Sequence, residues 1–257
     1  MLKQYALFVI QISFLFIAQS ASALELAGTV ERLQGSAVII SGGSQKNIQL
    51  RSEFFQGDQI TTANNAELLL RLTDGTVLAV RPNSNLIVSE YRFNNADAAQ
   101  DNILVKLFKG GFRTVTGVIG KKNPQKVRFN TPTATIGIRG TDFEVAVLEE
   151  HKKDAEAGTY NKVFEGGTYL ENNQGNRVEV GPNQAAFAPA NALQMAQQFG
   201  LLKQVPNVFF NGKFDNLLDT LQEEAFNRLN AELANKIPGG IPSEVKNLLP
   251  KLGDFFK

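Results

Sequence analysis

The chain has 257 residues, 43% of them hydrophobic and 20% charged, with a formal net charge of +1 and no cysteine. That length suits one large β-domain, or a medium domain with an appendage, and the ordinary composition excludes wholesale disorder. The near-neutral balance gives no electrostatic argument for nucleic acid, which usually needs a basic face, and the missing cysteines exclude disulfides, thiolate nucleophiles and cysteine metal sites.

Met1-Leu2-Lys3 carries one positive charge, residues 6–18 form a nearly unbroken apolar run, and Ala21-Ser22-Ala23 follows as a small-residue cleavage pattern. This reads as a secretory signal peptide over residues 1–23, cut after Ala23, because the run falls short of the roughly 20 residues of a spanning helix. No later stretch is long and apolar enough to span a bilayer, so the mature chain is expected in the periplasm or at the cell surface.

Residues 24–189 read as short strands punctuated by turns. Val38-Ile39-Ile40 ends at Ser41-Gly42-Gly43-Ser44, and Gln56-Gly57-Asp58 precedes Gln59-Ile60-Thr61-Thr62. The apolar strand of residues 66–72 meets Asp74-Gly75, a hairpin dipeptide whose Gly accepts the positive φ of a tight turn. Residues 76–80 return as its partner, Arg81-Pro82-Asn83-Ser84-Asn85 breaks the run, and Leu86-Ile87-Val88 resumes. Residues 104–108 and 112–116 continue the rhythm, Gly120-Lys121-Lys122-Asn123-Pro124 reads as a polar loop, and Lys126-Val127-Arg128-Phe129 alternates wet and dry faces. Residues 141–148 place Phe143, Val145 and Val147 on one face, and Val178-Glu179-Val180 before Gly181-Pro182-Asn183-Gln184 reads as the last hairpin. Residues 94–101 and 151–159 read as a surface loop and a hairpin excursion. A strand and a turn about every 8–12 residues predicts a mainly β fold of two twisted antiparallel sheets, as a sandwich or a short solenoid-like winding, with no helix before Ala190.

Residues 190–257 change character and read as a helical C-terminal appendage. Leu217, Leu221, Ala225, Leu229, Leu233 and Ile237 form an i, i+4 ladder, Pro238-Gly239-Gly240 stops it, and Ser243 is placed to cap a short helix to Leu249. Residues 192–202 are a further helix candidate. The ladder either docks on the β-domain or contacts a partner, with Leu217, Leu221, Leu229 and Leu233 as its contact residues.

Catalytic constellations are thin. The single histidine, His151, sits in the charged stretch Glu149-Glu150-His151-Lys152-Lys153, without the oriented partners of a triad or the further ligands of a zinc site. Gly117-Val118-Ile119-Gly120-Lys121-Lys122 lacks the spacing and the hydroxyl residue of a phosphate loop and reads as a basic hairpin tip. Asp58, Asp74 and Asp142 are the best-placed acids for a two-carboxylate hydrolase, but each adjoins a Gly or a Gly-Thr step, which turn chemistry explains. No cofactor or metal site is expected.

The run Asn130-Thr131-Pro132-Thr133-Ala134-Thr135-Ile136-Gly137-Ile138-Arg139-Gly140-Thr141-Asp142-Phe143-Glu144-Val145 closely resembles the signature of the FecR domain. In order around it, residues 56–62 resemble the family's Gly-Asp-x-Ile-x-Thr segment, residues 70–76 its Asp-Gly hairpin, and residues 81–84 its Pro-Asn-Ser turn. Residues 164–168 and 180–184 resemble its closing elements, and the resemblance spans residues 27–189. Gly57, Asp58, Asp74, Gly75, Gly137, Arg139, Gly140, Thr141 and Asp142 are the motif positions, either structural or partner-contacting. Small residues around Gly137 allow close backbone approach, and Arg139 is placed at a bend, to brace carbonyls or a carboxylate or to meet a ligand.

The resemblance implies a relative of membrane regulators of iron-uptake signalling. Only Met1 to Tyr5 precede the apolar run, which leaves no room for a sigma-controlling segment, so the expectation is the extracytoplasmic interaction module alone. The leading reading is a non-enzymatic binding module for an envelope or membrane protein or a cell-envelope polymer. The alternatives are an accessory of envelope signal transduction and an envelope-polysaccharide hydrolase.

Overall fold

The computed structural model describes residues 24–94, 99–191, 193, 198–218, 220, 221, 224 and 227. The signal peptide expected over residues 1–23, Leu229, Leu233 and the short helix expected from Ser243 lie outside them.

The strands in chain order are β1 (Leu26–Gln34), β2 (Ala37–Ser41), β3 (Ser44–Asn47), β4 (Glu53–Phe55), β5 (Gln59–Thr62), β6 (Glu67–Leu72), β7 (Val77–Val80), β8 (Asn85–Arg92) and β9 (Asn102–Val115). A five-residue helix, α1 (Val118–Lys122), precedes β10 (Val127–Asn130), β11 (Ala134–Ile138), β12 (Asp142–Leu148), β13 (Gly158–Glu165), β14 (Thr168–Asn172), β15 (Arg177–Val180), β16 (Ala185–Pro189) and β17 (Gly200–Leu201).

These strands make two layers. The first runs β1-β6-β7-β9-β12-β13-β16-β17, with β4 on the start of β1. The second runs β3-β2-β5-β8-β9-β10-β11-β14-β15. Strand order follows chain order almost throughout, so the chain winds back and forth between the layers as it advances. The structure therefore combines both expected topologies: a sandwich in its layers and a solenoid in its winding. The described strands do not close into a barrel.

β9 serves both layers, its first half pairing with β8 and its second with β12. The switch falls at Gly110, where φ is +82° and a Cβ would run into Ser84 and the Asn83 carbonyl. A side chain there would be both strained and crowded. After β9 has crossed, α1 carries the chain back, so β10 lies parallel to the first half of β9. The second layer is thus mixed, while the pairings of the first are all antiparallel.

One core fills the space between the layers. Leu68, Leu70, Leu72, Phe112, Phe143, Val145 and Val147 from the first layer meet Ile60, Leu86, Val105, Phe129, Ile136 and Leu170 from the second. Phe112, Phe129 and Phe143 form its aromatic centre, with ring centroids 5.1 to 6.3 Å apart.

Three local expectations are corrected. Residues 118–122 form α1, with Gly117 at its N-cap, rather than a basic hairpin tip or polar loop, and Val118, Ile119 and Gly120 are buried. The helix forms because the Asp74 turn caps it from outside: Val118 N–H donates to the Asp74 carbonyl (3.0 Å) and Ile119 N–H to the Asp74 carboxylate (3.3 Å). The turn at Gly181-Pro182-Asn183-Gln184 is a crossover between layers rather than a hairpin, because β15 pairs with β14 and β16 with β13. Residues 192–202 are not one helix, since Gly200–Leu201 pairs with β16.

Residues 202–214 of the appendage form an irregular strap of bends and turns across the outside of the first layer. Leu202, Val208 and Phe209 pack on Ala146, Tyr160 and Phe187. A 3-10 turn (Asp215–Leu217) then leads into helical residues, and Leu218 and Leu221 bury themselves against Leu69, Val77, Ala79 and Val115. β6 and β7 are therefore covered on both faces, which explains their nearly continuous apolar text.

Candidate interaction site

The motif residues divide between turn chemistry and ion pairing. Gly57, Gly75 and Gly140 occupy positive-φ turns. The Asp58 carboxylate accepts the Phe55 N–H (2.8 Å), closing the turn before β5. Asp74 is fully buried and accepts the Thr76 N–H and hydroxyl, each at 3.0 Å, besides the Ile119 N–H. Its own N–H donates to the buried Tyr91 hydroxyl (2.9 Å). Burial pushes the Asp74 pKa up to about 6, against the opposing pull of the Thr76 and Ile119 hydrogen bonds. Thr141 N–H donates to the Thr116 hydroxyl (3.0 Å), and Gly117 N–H to that of Thr76 (2.9 Å). The Asp74–Gly75 hairpin and the Thr141–Asp142 step are thereby joined through residues 116–117.

Gly137 lies opposite Tyr169 on β14, and a Cβ there would overlap the Tyr169 ring. The Tyr169 ring lies over Gly137, and the Arg177 guanidinium stacks 3.6 Å from the ring centroid. Arg139 is 60% exposed and pairs with Glu179 (2.9 Å), so it meets a carboxylate at the surface rather than bracing carbonyls.

Asp142 binds Arg113, through Nε at 2.9 Å and through Nη2. This pair belongs to a larger network on the outer face of the first layer. Arg81, only 4% exposed, donates from Nε to Glu144 (2.9 Å) and from Nη1 and Nη2 to Asp215 (2.6 and 3.1 Å). Arg113 approaches Asp215 as well, at 3.7 Å. The strap adds backbone donors: Phe210 N–H to Glu144, Gly212 N–H to Asp215 and Lys213 N–H to Glu67. Burial raises the pKa of Glu144 despite the adjacent Arg81 charge. For Arg81 burial pulls the pKa down, but the Asp215 hydrogen bond and the Glu144 charge outweigh it and the net shift is upward.

Beside this network lies an open groove of about 910 Å³. Its floor is the stretch Gly110–Gly111 of β9 and the outer face of β12. Asn65, Lys109 and Lys152 line it, and Phe210 of the strap forms part of a wall. Phe210 is 45% exposed and sits 5.9 Å from the Arg81 guanidinium. His151 also lines it and hydrogen-bonds to Glu156 (3.0 Å). Among the described residues no group of three or more His, Asp or Glu is placed to hold a metal ion, and no helix is long and apolar enough to cross a membrane.

Of the two readings of the ladder, docking or partner contact, Leu217 and Leu221 take the first and pack on the β-domain. Arg81, Arg113, Glu144 and Asp215 were not singled out from the sequence. Their signal is alternation: Asp142 and Glu144 oppose core-facing Phe143 and Val145, and Arg113 follows core-facing Phe112. Opposite charges on the outward face of otherwise apolar strands call for each other and for a cover.

Residues 58–167 match the family model described as FecR protein. Two crystal structures of a protein from Parabacteroides distasonis ATCC 8503, described as a "putative anti-sigma factor", are similar to the chain at TM-scores of 0.43 and 0.41. Both are 15% identical, over 58% of this chain and 60% of theirs, so the chain spans about three fifths of their length. A comparison with curated proteins gave no match.

Proposed function

We propose that this chain, which carries a FecR domain over residues 58–167, is an exported, non-enzymatic interaction module. The FecR domain supports a role in signal transduction. On this reading the mature protein works in the periplasm and contacts an envelope or membrane protein at the groove beside Arg81.

The observation that carries the reading is the fate of the acids. Asp58 and Asp74 are held by backbone and side-chain donors, and Asp142 by Arg113. Each is committed to the fold, and a general acid or base must instead face a substrate proton within hydrogen-bond reach. What the first layer offers outward is a groove with a half-exposed Phe210 beside amides and mixed charge, the composition of a protein contact.

The test is photo-crosslinking in intact cells, with the probe at Asn65 or Lys109 in the groove and at Lys46 on β3 as control. Reproducible capture of one envelope protein from the groove positions, from a periplasmic pool whose N-terminus is Leu24, is the expected result. Retention in the cytoplasm, or crosslinks no different from Lys46, contradicts it.

A further inference from the structure

The second layer carries a groove that the reading above leaves unused. It is about 730 Å³, within the range of ligand sites, and lies over the parallel pair β9–β10. Arg92, Lys126 and Arg128 line it against one carboxylate, Glu90. Asn102 is held by Glu90 (2.9 Å) and Gln100 by Arg92 (2.7 Å), so two of its carboxamides are fixed in place. Gln56, Gln125 and Asn130 add three more.

From this lining we infer that the groove binds an anionic glycan, a chain of hydroxyl-rich sugars bearing carboxylates. Carboxamides both donate and accept, which matches sugar hydroxyls, and a guanidinium forks onto a carboxylate. Three cations facing one acid select a negative ligand. Other polymers fit less well. β9 and β10 are each paired on both sides, so there is no free strand edge for a peptide to extend. The single aromatic in the lining, Tyr91, is buried, so no ring stands ready to stack a base.

The inference is independent of the protein contact proposed for the other layer, and purified protein tests it. Calorimetric titration of the mature chain uses tetragalacturonate as probe, with chitotetraose, tetraglutamate and inorganic phosphate as comparisons. Arg128 and Lys126 are exposed, so Arg128→Gln and Lys126→Gln should keep the wild-type melting temperature, and Lys46→Gln serves as a control. The expected result is saturable tetragalacturonate binding that weakens with salt, about tenfold on Arg128→Gln and by less on Lys126→Gln, and is unchanged by Lys46→Gln. The inference is overturned by no binding, by equal binding of chitotetraose, tetraglutamate or phosphate, or by binding indifferent to Arg128→Gln. None of these outcomes bears on the crosslinking result, so either proposal can fail alone.

Discussion

The Arg81 guanidinium grips the Asp215 carboxylate through two hydrogen bonds, 2.6 and 3.1 Å long, between residues 134 apart in the chain. Glu144 occupies the third edge of the same guanidinium. One side chain from the turn after β7 thus fastens the strap to the β-domain.

Replacing Arg81 by Met leaves Glu144 and Asp215 without their main counter-charge. Breaking a buried pair from one side costs about 3–5 kcal/mol, so Arg81→Met should lower unfolding stability by that order in a urea titration. Asp215→Asn should cost less and act locally, speeding hydrogen exchange at the Gly212 and Lys213 amides while β9 and β12 stay protected. Unchanged exchange in Asp215→Asn would show that the strap is held by other contacts.

Leu218 is fully buried against Leu69 and Val77. Leu218→Ala should therefore cost about 2–5 kcal/mol, read as a lower urea midpoint. A tail that serves only a partner predicts no change.

The hairpins around Asp74-Gly75 were legible because Gly turn chemistry is local. Phe143, Val145 and Val147 were legible as core because alternation is local too. The cap on α1 was not, since its acceptors come from Asp74, far upstream. Nor was the crossover role of the two Pro-Asn turns. Asn83 and Asn183 both take positive φ, +55° and +62°, each where the chain changes layer, and nothing in a turn says which strand its far side will pair with. The strap hid for a related reason: residues 203–214 run through bends and turns without strand pairing, so they carry no period. The continuous apolar text of β6 was its trace, because Leu69 needs a cover outside the sandwich.

Gly137→Ala should push Tyr169 off the sheet and break its stack on Arg177. A crowded insertion of this kind costs about 1–3 kcal/mol. Adding Tyr169→Ala should recover part of that loss, and a double-mutant cycle by urea unfolding measures it. Additive losses would mean that the Tyr169 ring does not determine the need for glycine.

Asp74 makes stability depend on pH in a defined direction. Its folded pKa, about 6, lies above the ordinary 3.8, so the folded state holds the proton more tightly. The resulting stabilisation is full below about pH 3.8 and is lost as pH rises through about 6. Relative to Asp74→Asn, the wild type should therefore be more stable at pH 5 than at pH 7 by about 1 kcal/mol. A constant difference between the two proteins across that range would contradict the buried-acid account.

The most direct measurement is in-cell photo-crosslinking from Asn65 and Lys109, read beside Lys46. The account predicts one reproducible envelope protein captured from the groove by a periplasmic chain beginning at Leu24. A chain retained in the cytoplasm, or groove positions that crosslink no better than Lys46, would contradict it.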